Sequence, residues 1–174
     1  MKTMNMNDHF MAKAIEESVW ENISEELNWN EQLLHKFRDK VDWEKISNNS
    51  NIMWTSSMLE KFEGWIDWDA LSSSYYHKGN IFTPANLEKF KSRWNWTDLS
   101  RNDVGFTIEI IDRFVDKWDW EALIDNRDME DLFNEGFLEK YKQYIPAAEL
   151  QSSVLWRKLV EVREKEIIAE ILSE

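Results

Sequence analysis

Thr55-Ser56-Ser57-Met58-Leu59-Glu60-Lys61-Phe62 is followed, four residues on, by Asp67-Trp68-Asp69-Ala70-Leu71-Ser72. The same pair of blocks recurs along the chain. The first returns as Thr83-Pro84-Ala85-Asn86-Leu87-Glu88-Lys89-Phe90 and Thr107-Ile108-Glu109-Ile110-Ile111-Asp112-Arg113-Phe114. Looser copies begin at Asn30 and Asn134 and end at Phe37 and Tyr141. The second returns as Asp42-Trp43-Glu44-Lys45-Ile46-Ser47, Asn95-Trp96-Thr97-Asp98-Leu99-Ser100 and Asp119-Trp120-Glu121-Ala122-Leu123-Ile124. The closing aromatics stand at 37, 62, 90, 114 and 141. A period of roughly 26 residues that is too short to bury its own apolar face marks a stacked array.

Each unit reads as two helices. Asn30, Thr55, Thr83, Thr107 and Asn134 stand four residues before an apolar position, where an N-cap belongs. An aromatic precedes each cap (Trp29, Trp54, Phe82, Phe106, Phe133) and pairs with the apolar residue inside the helix as a hydrophobic staple. Pro84 falls at the first helical position, where its missing N–H costs nothing. The spacing of Leu59, Phe62 and Ile66 predicts a helix of about three turns. Asp42, Asp67, Asn95 and Asp119 cap a second, shorter helix carrying Trp-x-x-Leu. Polar stretches such as Asn48–Asn51 and Ser72–Ser74 read as loops.

The array is worn at its ends. Trp20-Glu21-Asn22-Ile23-Ser24 keeps only a second block, and Pro146-Ala147-Ala148-Glu149-Leu150 has lost its tryptophan. Flanking helices are expected from about Asp8 to Trp20 and from about Ser153 to Leu172. In the latter, Leu155, Leu159, Val162, Ile167 and Ile171 are the expected core contacts that close the stack. The fold class is therefore all-α: a single-domain short α-solenoid of about five helix–short-helix repeats. Its parts are an N-terminal cap over 8–29, repeats over 30–152 and a C-terminal capping helix over 153–174.

The Asp-Trp-x-x-Leu-Ser block behind a Leu-Glu-Lys-Phe helix resembles tryptophan-rich repeats of the Trp-Asp-Trp-x-x-Leu-Ser kind, found in bacterial and viral proteins of no defined activity. Trp118-Asp119-Trp120-Glu121-Ala122-Leu123 matches best and Trp94-Asn95-Trp96 next; Val41 and Ile66 replace the leading tryptophan elsewhere. The resemblance spans roughly 20 to 150. It implies a helical array and carries no catalytic residues.

The chemistry-bearing residues do not assemble into a motif. No cysteine is present, which excludes disulfides, thiolate zinc sites and cysteine nucleophiles. His9, His35 and His77 are far apart, with no metal-ligand spacing. Adjacent carboxylates such as Glu16-Glu17 and Glu25-Glu26 are expected among 34 acidic residues. Asp125–Glu130 lacks the glycine and terminal glutamate of a calcium loop. There is no glycine-rich phosphate loop or nucleophile elbow. The expectation is a non-catalytic protein without cofactor or metal.

Eleven tryptophans demand an explanation. Trp43, Trp68, Trp96 and Trp120 read as knobs between adjacent units, each removing about 150–250 Å² from water. Trp65 is off-pattern and the best candidate for exposure. Charge supplies the functional direction. The chain carries a net −13, and Asp103 to Glu135 holds eleven acids against Arg113, Lys117 and Arg127. Such a surface repels phosphates and favours a basic partner, with plain solubility as the competing explanation.

The expected function is a non-catalytic interaction module presenting an acidic helical-repeat surface to a protein partner. Its candidate contact residues are Asp112, Asp116, Asp125, Asp128, Glu130, Asp131 and Trp65. Alternatives are an acidic nucleic-acid mimic that inhibits a nuclease or immune effector, and an aromatic-lined small-ligand domain. Direct nucleic-acid binding and membrane association are not expected. Without a signal peptide or an 18-residue apolar run, the expected location is the cytoplasm.

Overall fold

The computed structural model describes residues 6–74 and 81–173, all of them helical or in connecting turns. His77, expected at the surface, lies outside the described residues. Two compact units are present, Met1–Ile81 and Phe82–Glu174.

In the first unit, α1 (Met6–Glu26), α2 (Glu31–Phe37), α3 (Trp43–Asn48), α4 (Ser56–Lys61) and α5 (Trp68–Ser73) follow one another. Alternate helices stack, α1 on α3 and α3 on α5. The worn first repeat is not a separate short helix. Trp20 to Ser24 form the carboxyl-terminal part of α1, which is longer than the expected 8–20 because no breaker interrupts Met6 to Glu26.

In the second unit come α6 (Pro84–Lys89), α7 (Trp96–Arg101), α8 (Ile108–Arg113), α9 (Trp120–Ile124), a 3₁₀ segment (Arg127–Leu132), α10 (Glu135–Tyr141), α11 (Ala147–Leu150) and α12 (Val154–Leu172). Here α7 stacks on α9, α9 on α11, and α12 on the 3₁₀ segment. Gly105, with φ +68, supplies the left-handed turn between α7 and α8 that an L side chain rarely adopts.

Capping side chains place the nine repeat helices from α2 to α10, whereas α11, with Pro146 at its cap position, has no side-chain cap. Asn30, Thr55, Thr83, Thr107 and Asn134 each accept the backbone N–H three residues on, and so do Asp42, Asp67, Asn95 and Asp119. The first helices are shorter than three turns. At Phe62 the backbone moves to φ −110, ψ 14, and α4 ends. The chain continues as a turn in which Trp65 and Ile66 both donate to the Phe62 carbonyl, at 2.8 and 3.0 Å. Ile66 is therefore buried, as its spacing requires, but outside the helix.

The joints between units repeat as closely as the sequence does. Four block tryptophans lay their rings against the aromatic of the next repeat: Trp20 on Phe37, Trp43 on Phe62, Trp96 on Phe114 and Trp120 on Tyr141, with centroids 5.7, 5.4, 5.1 and 5.1 Å apart. Such pairs add about 0.5–1.5 kcal/mol to the area they bury. The indole N–H of Trp43, Trp68, Trp96 and Trp120 donates to the carbonyl five residues earlier. The serine four residues after the tryptophan donates to the tryptophan carbonyl, as in Ser24, Ser47 and Ser100. Its oxygen then accepts the backbone N–H of the next unit's cap residue, Asp42, Asp67 or Asp119, at 3.0 Å. The final Ser of the Trp-x-x-Leu-Ser block is thus the splice between neighbours. Ser47→Ala, which strands the Asp67 N–H, is expected to lower stability by about 1–2 kcal/mol in chemical unfolding; an unchanged midpoint would show the splice to be dispensable.

The polar loops are not simply solvated. Ser72 and Ser73 belong to α5, and Ser72 is buried. Buried Asn49 donates to the carbonyls of Ser24 and Leu27, and buried Asn126 to those of Ser100 and Asn102. These amides satisfy the free carbonyls at the ends of α1 and α7.

Helix α12 overturns an expectation. Ser153 caps it, and Val154 and Leu155 are buried, but Leu159 is only half-buried. Val162, Ile167 and Ile171 are 43%, 41% and 66% exposed, so they are not core contacts. The helix packs by its beginning on the 3₁₀ segment, and farther along Trp156, Leu159, Val160 and Arg163 border a depression of about 590 Å³ with Glu135, Leu138 and Glu139 of α10.

Candidate functional site

The acidic stretch from Asp103 to Glu135 divides in space into two groups. Asp112 lies on α8, and Asp116 in the turn after it. Asp112 is not a free carboxylate. Its Oδ2 accepts from Lys140 Nζ at 2.7 Å and its Oδ1 from the Tyr141 hydroxyl at 2.9 Å, both on α10. The Lys140 hydrogen bond holds this carboxyl below its ordinary range, and the ammonium is raised in return. Burial, then the bond to Asp112, lifts the Tyr141 phenol above its usual value.

This pair belongs to a row that ties the first helix of one unit to the first helix of the next. Glu31 meets Lys61 at 2.9 Å and Glu88 meets Arg113 at 3.4 Å in the same manner. Lys61, Arg113 and Lys140 all precede the aromatic that closes their helix. Exposed pairs of this kind contribute little to stability. Asp112 is therefore a joint between repeats. Asp116 is exposed and lies 3.5 Å from Lys117.

The second group collects at the end of α9. Asp125 is its C-cap residue, and Asp128, Glu130 and Asp131 sit on the 3₁₀ segment; all four are exposed. Sequence reading finds no element here. The segment exists because Asn126 accepts the Asp128 N–H and Met129 is buried beneath it. Asp125 and Asp128 line a depression of about 320 Å³ with Arg101 and Arg127. Glu130 shares a second, of about 240 Å³, with Arg127, Arg157, Lys158 and Glu161. Arg157 also stands 3.8 Å from Asp125. What reads in sequence as a nearly unbroken acidic run is in space a mosaic, because α12 and α7 bring basic side chains into it.

Trp65 is 43% exposed, as its off-pattern position suggests. Its ring lies 6.0 Å from that of half-buried Trp43, and the Arg38 guanidinium sits over it at 5.9 Å. It belongs to the first unit, and the acids named with it belong to the second.

Among the described residues no group of three or more His, Asp or Glu is placed to hold a metal ion, and no helix is long and apolar enough to cross a membrane. Serine and asparagine at the unit joints are the residues that sequence reading misses. The serine signal was visible as a recurrence at 24, 47, 72 and 100, whereas Asn49 and Asn126 stand in segments that read only as polar loop. No family model, curated protein or solved structure matches the chain.

Proposed function

We propose that the protein is a non-catalytic interaction module whose exposed helical-repeat surface binds a protein partner through the charged end of α9, the 3₁₀ segment and the first turns of α12. One observation carries this reading. The residues that recur from unit to unit are engaged in holding units together, so the side chains that differ between units are those left to face a partner. Among them Asp125, Asp128, Glu130 and Asp131 form a compact group of exposed acids in the second unit.

A mosaic of Asp and Glu with Arg101, Arg127, Arg157 and Lys158 suits a partner with a mixed, mainly basic surface. It suits a mimic of nucleic acid less well, because a phosphate-like face needs unbroken negative charge. Opposed charges at a rim act chiefly on association rate and specificity.

The test is capture of partners from nuclease-treated native-host lysate at low and moderate salt. It compares the wild type with a variant in which Asp125, Asp128, Glu130 and Asp131 are all changed to Lys. Expected is one stoichiometric protein that the wild type loses as salt rises and that the variant never retains. A partner held equally by both proteins, or indifferent to salt, would remove this surface from the function. A captured nuclease that the wild type releases on adding DNA or RNA would move the mimic reading ahead.

A further inference from the structure

Helix α12 carries an apolar stripe whose first half, half-buried Trp156 with Val160, borders a depression against α10 and whose second half, Ile167 and Ile171, is exposed. Trp156, Val160, Ile167 and Ile171 are spaced by four, seven and four residues, so they fall on one side of the helix. Val154 and Leu155, which anchor the helix to the unit, point the other way. Val160 and Ile167 are 49% and 41% exposed, and Ile168 beside them 48%. Helices draw most of their stability from tertiary packing, so a partner on the stripe would stabilise α12.

Charge selects the partner. The chain carries −13 overall, yet α12 holds four basic residues (Arg157, Lys158, Arg163, Lys165) and four acidic ones (Glu161, Glu164, Glu166, Glu170) and is neutral. By contrast α1, which also exposes Met11, Ile15 and Val19, carries six acids against Lys13 and would repel a second α1. Arg163 and Glu170 flank one edge of the α12 stripe, seven residues apart and 3.7 Å from each other. Laying two such helices antiparallel with Val160 against Ile171 of the second copy sets Arg163 opposite Glu170 of that copy, and the two-fold axis makes the contact twice. A parallel pair would instead bring Glu164 onto Glu164 and Arg157 onto Arg157.

We infer that α12 is a self-association element, pairing antiparallel with α12 of a second copy of this chain through Val160, Ile167 and Ile171. Two helices overlapping along this stripe share about 24 Å of length. That is a small interface, at the low end for specific complexes, so the loading series must extend to high micromolar concentration.

Sedimentation velocity over a loading series from low to high micromolar tests it on the full chain. The expected mass rises from 21.0 kDa toward twice that value. Ile167→Asp, on an exposed position, is expected to hold the protein monomeric with its circular dichroism unchanged. Arg163→Glu and Glu170→Arg should each weaken the dimer about tenfold, or about 1.4 kcal/mol, and the double swap should restore it. A monomer throughout the series overturns the inference. So does a dimer that survives Ile167→Asp, or a double swap no tighter than the single variants.

Discussion

Trp68→Ala is expected to lower the unfolding free energy by about 3–5 kcal/mol, the range for removing a large buried aromatic. Its indole is 9% exposed and its ring N–H donates to the Glu63 carbonyl, so the substitution opens a cavity and strands an acceptor together. The neighbouring Trp65→Ala serves as the internal comparison. That side chain is 43% exposed, and its loss should cost less than about 1 kcal/mol. Urea unfolding followed by circular dichroism measures both without relying on the fluorescence that the substitutions remove. Equal costs for the two variants would mean that the distinction between knob and surface tryptophan is wrong.

Asn126→Ala is the second large effect, at roughly 2–5 kcal/mol. The amide nitrogen of Asn126 donates to the Ser100 and Asn102 carbonyls at 2.9 and 3.0 Å, and its oxygen accepts the Asp128 N–H at 2.9 Å. Ser100 and Asn102 are buried, so water does not replace the lost donors. Asn126→Asp separates the two halves of the role. Aspartate can still cap the 3₁₀ segment, but at neutral pH it has no proton for the carbonyls and adds a charge beside them. It should therefore be at least as destabilising as alanine at neutral pH. If it proved nearly as stable as the wild type, the cap would be the main contribution and the bridge to the preceding unit a minor one.

The proposed interaction surface and the proposed α12 pairing are separable. The four-lysine variant changes side chains on α9 and the 3₁₀ segment, while Ile167→Asp changes the distal half of α12. Loss of a salt-sensitive partner with the dimer intact would support the first alone, and the converse result the second alone.

Much of this fold is decided locally, and so it is legible in the residues. Thr55, Thr83 and Asp67 cap helices because a side-chain oxygen meets an N–H three residues away, and that needs only the backbone between them. The roughly 26-residue recurrence tells which faces meet, since identical units can bury their apolar sides only on one another. Exposure of Trp65 was likewise readable, from its place outside the repeat.

What stands opposite a residue is not local, and there the tertiary structure decided. Ile167 and Ile171 have the spacing of core residues, but α12 extends past the 3₁₀ segment that holds its first turn, so they face outward. Asp112 reads as one acid in a run, yet Lys140 and Tyr141, just over a full repeat later in the chain, take both of its oxygens. Asn49 and Asn126 look like loop residues until the carbonyl ends of α1 and α7 arrive beside them. Caps and period follow from the chain's own neighbours in sequence. Burial, ion pairing and the pattern of surface charge depend on neighbours in space.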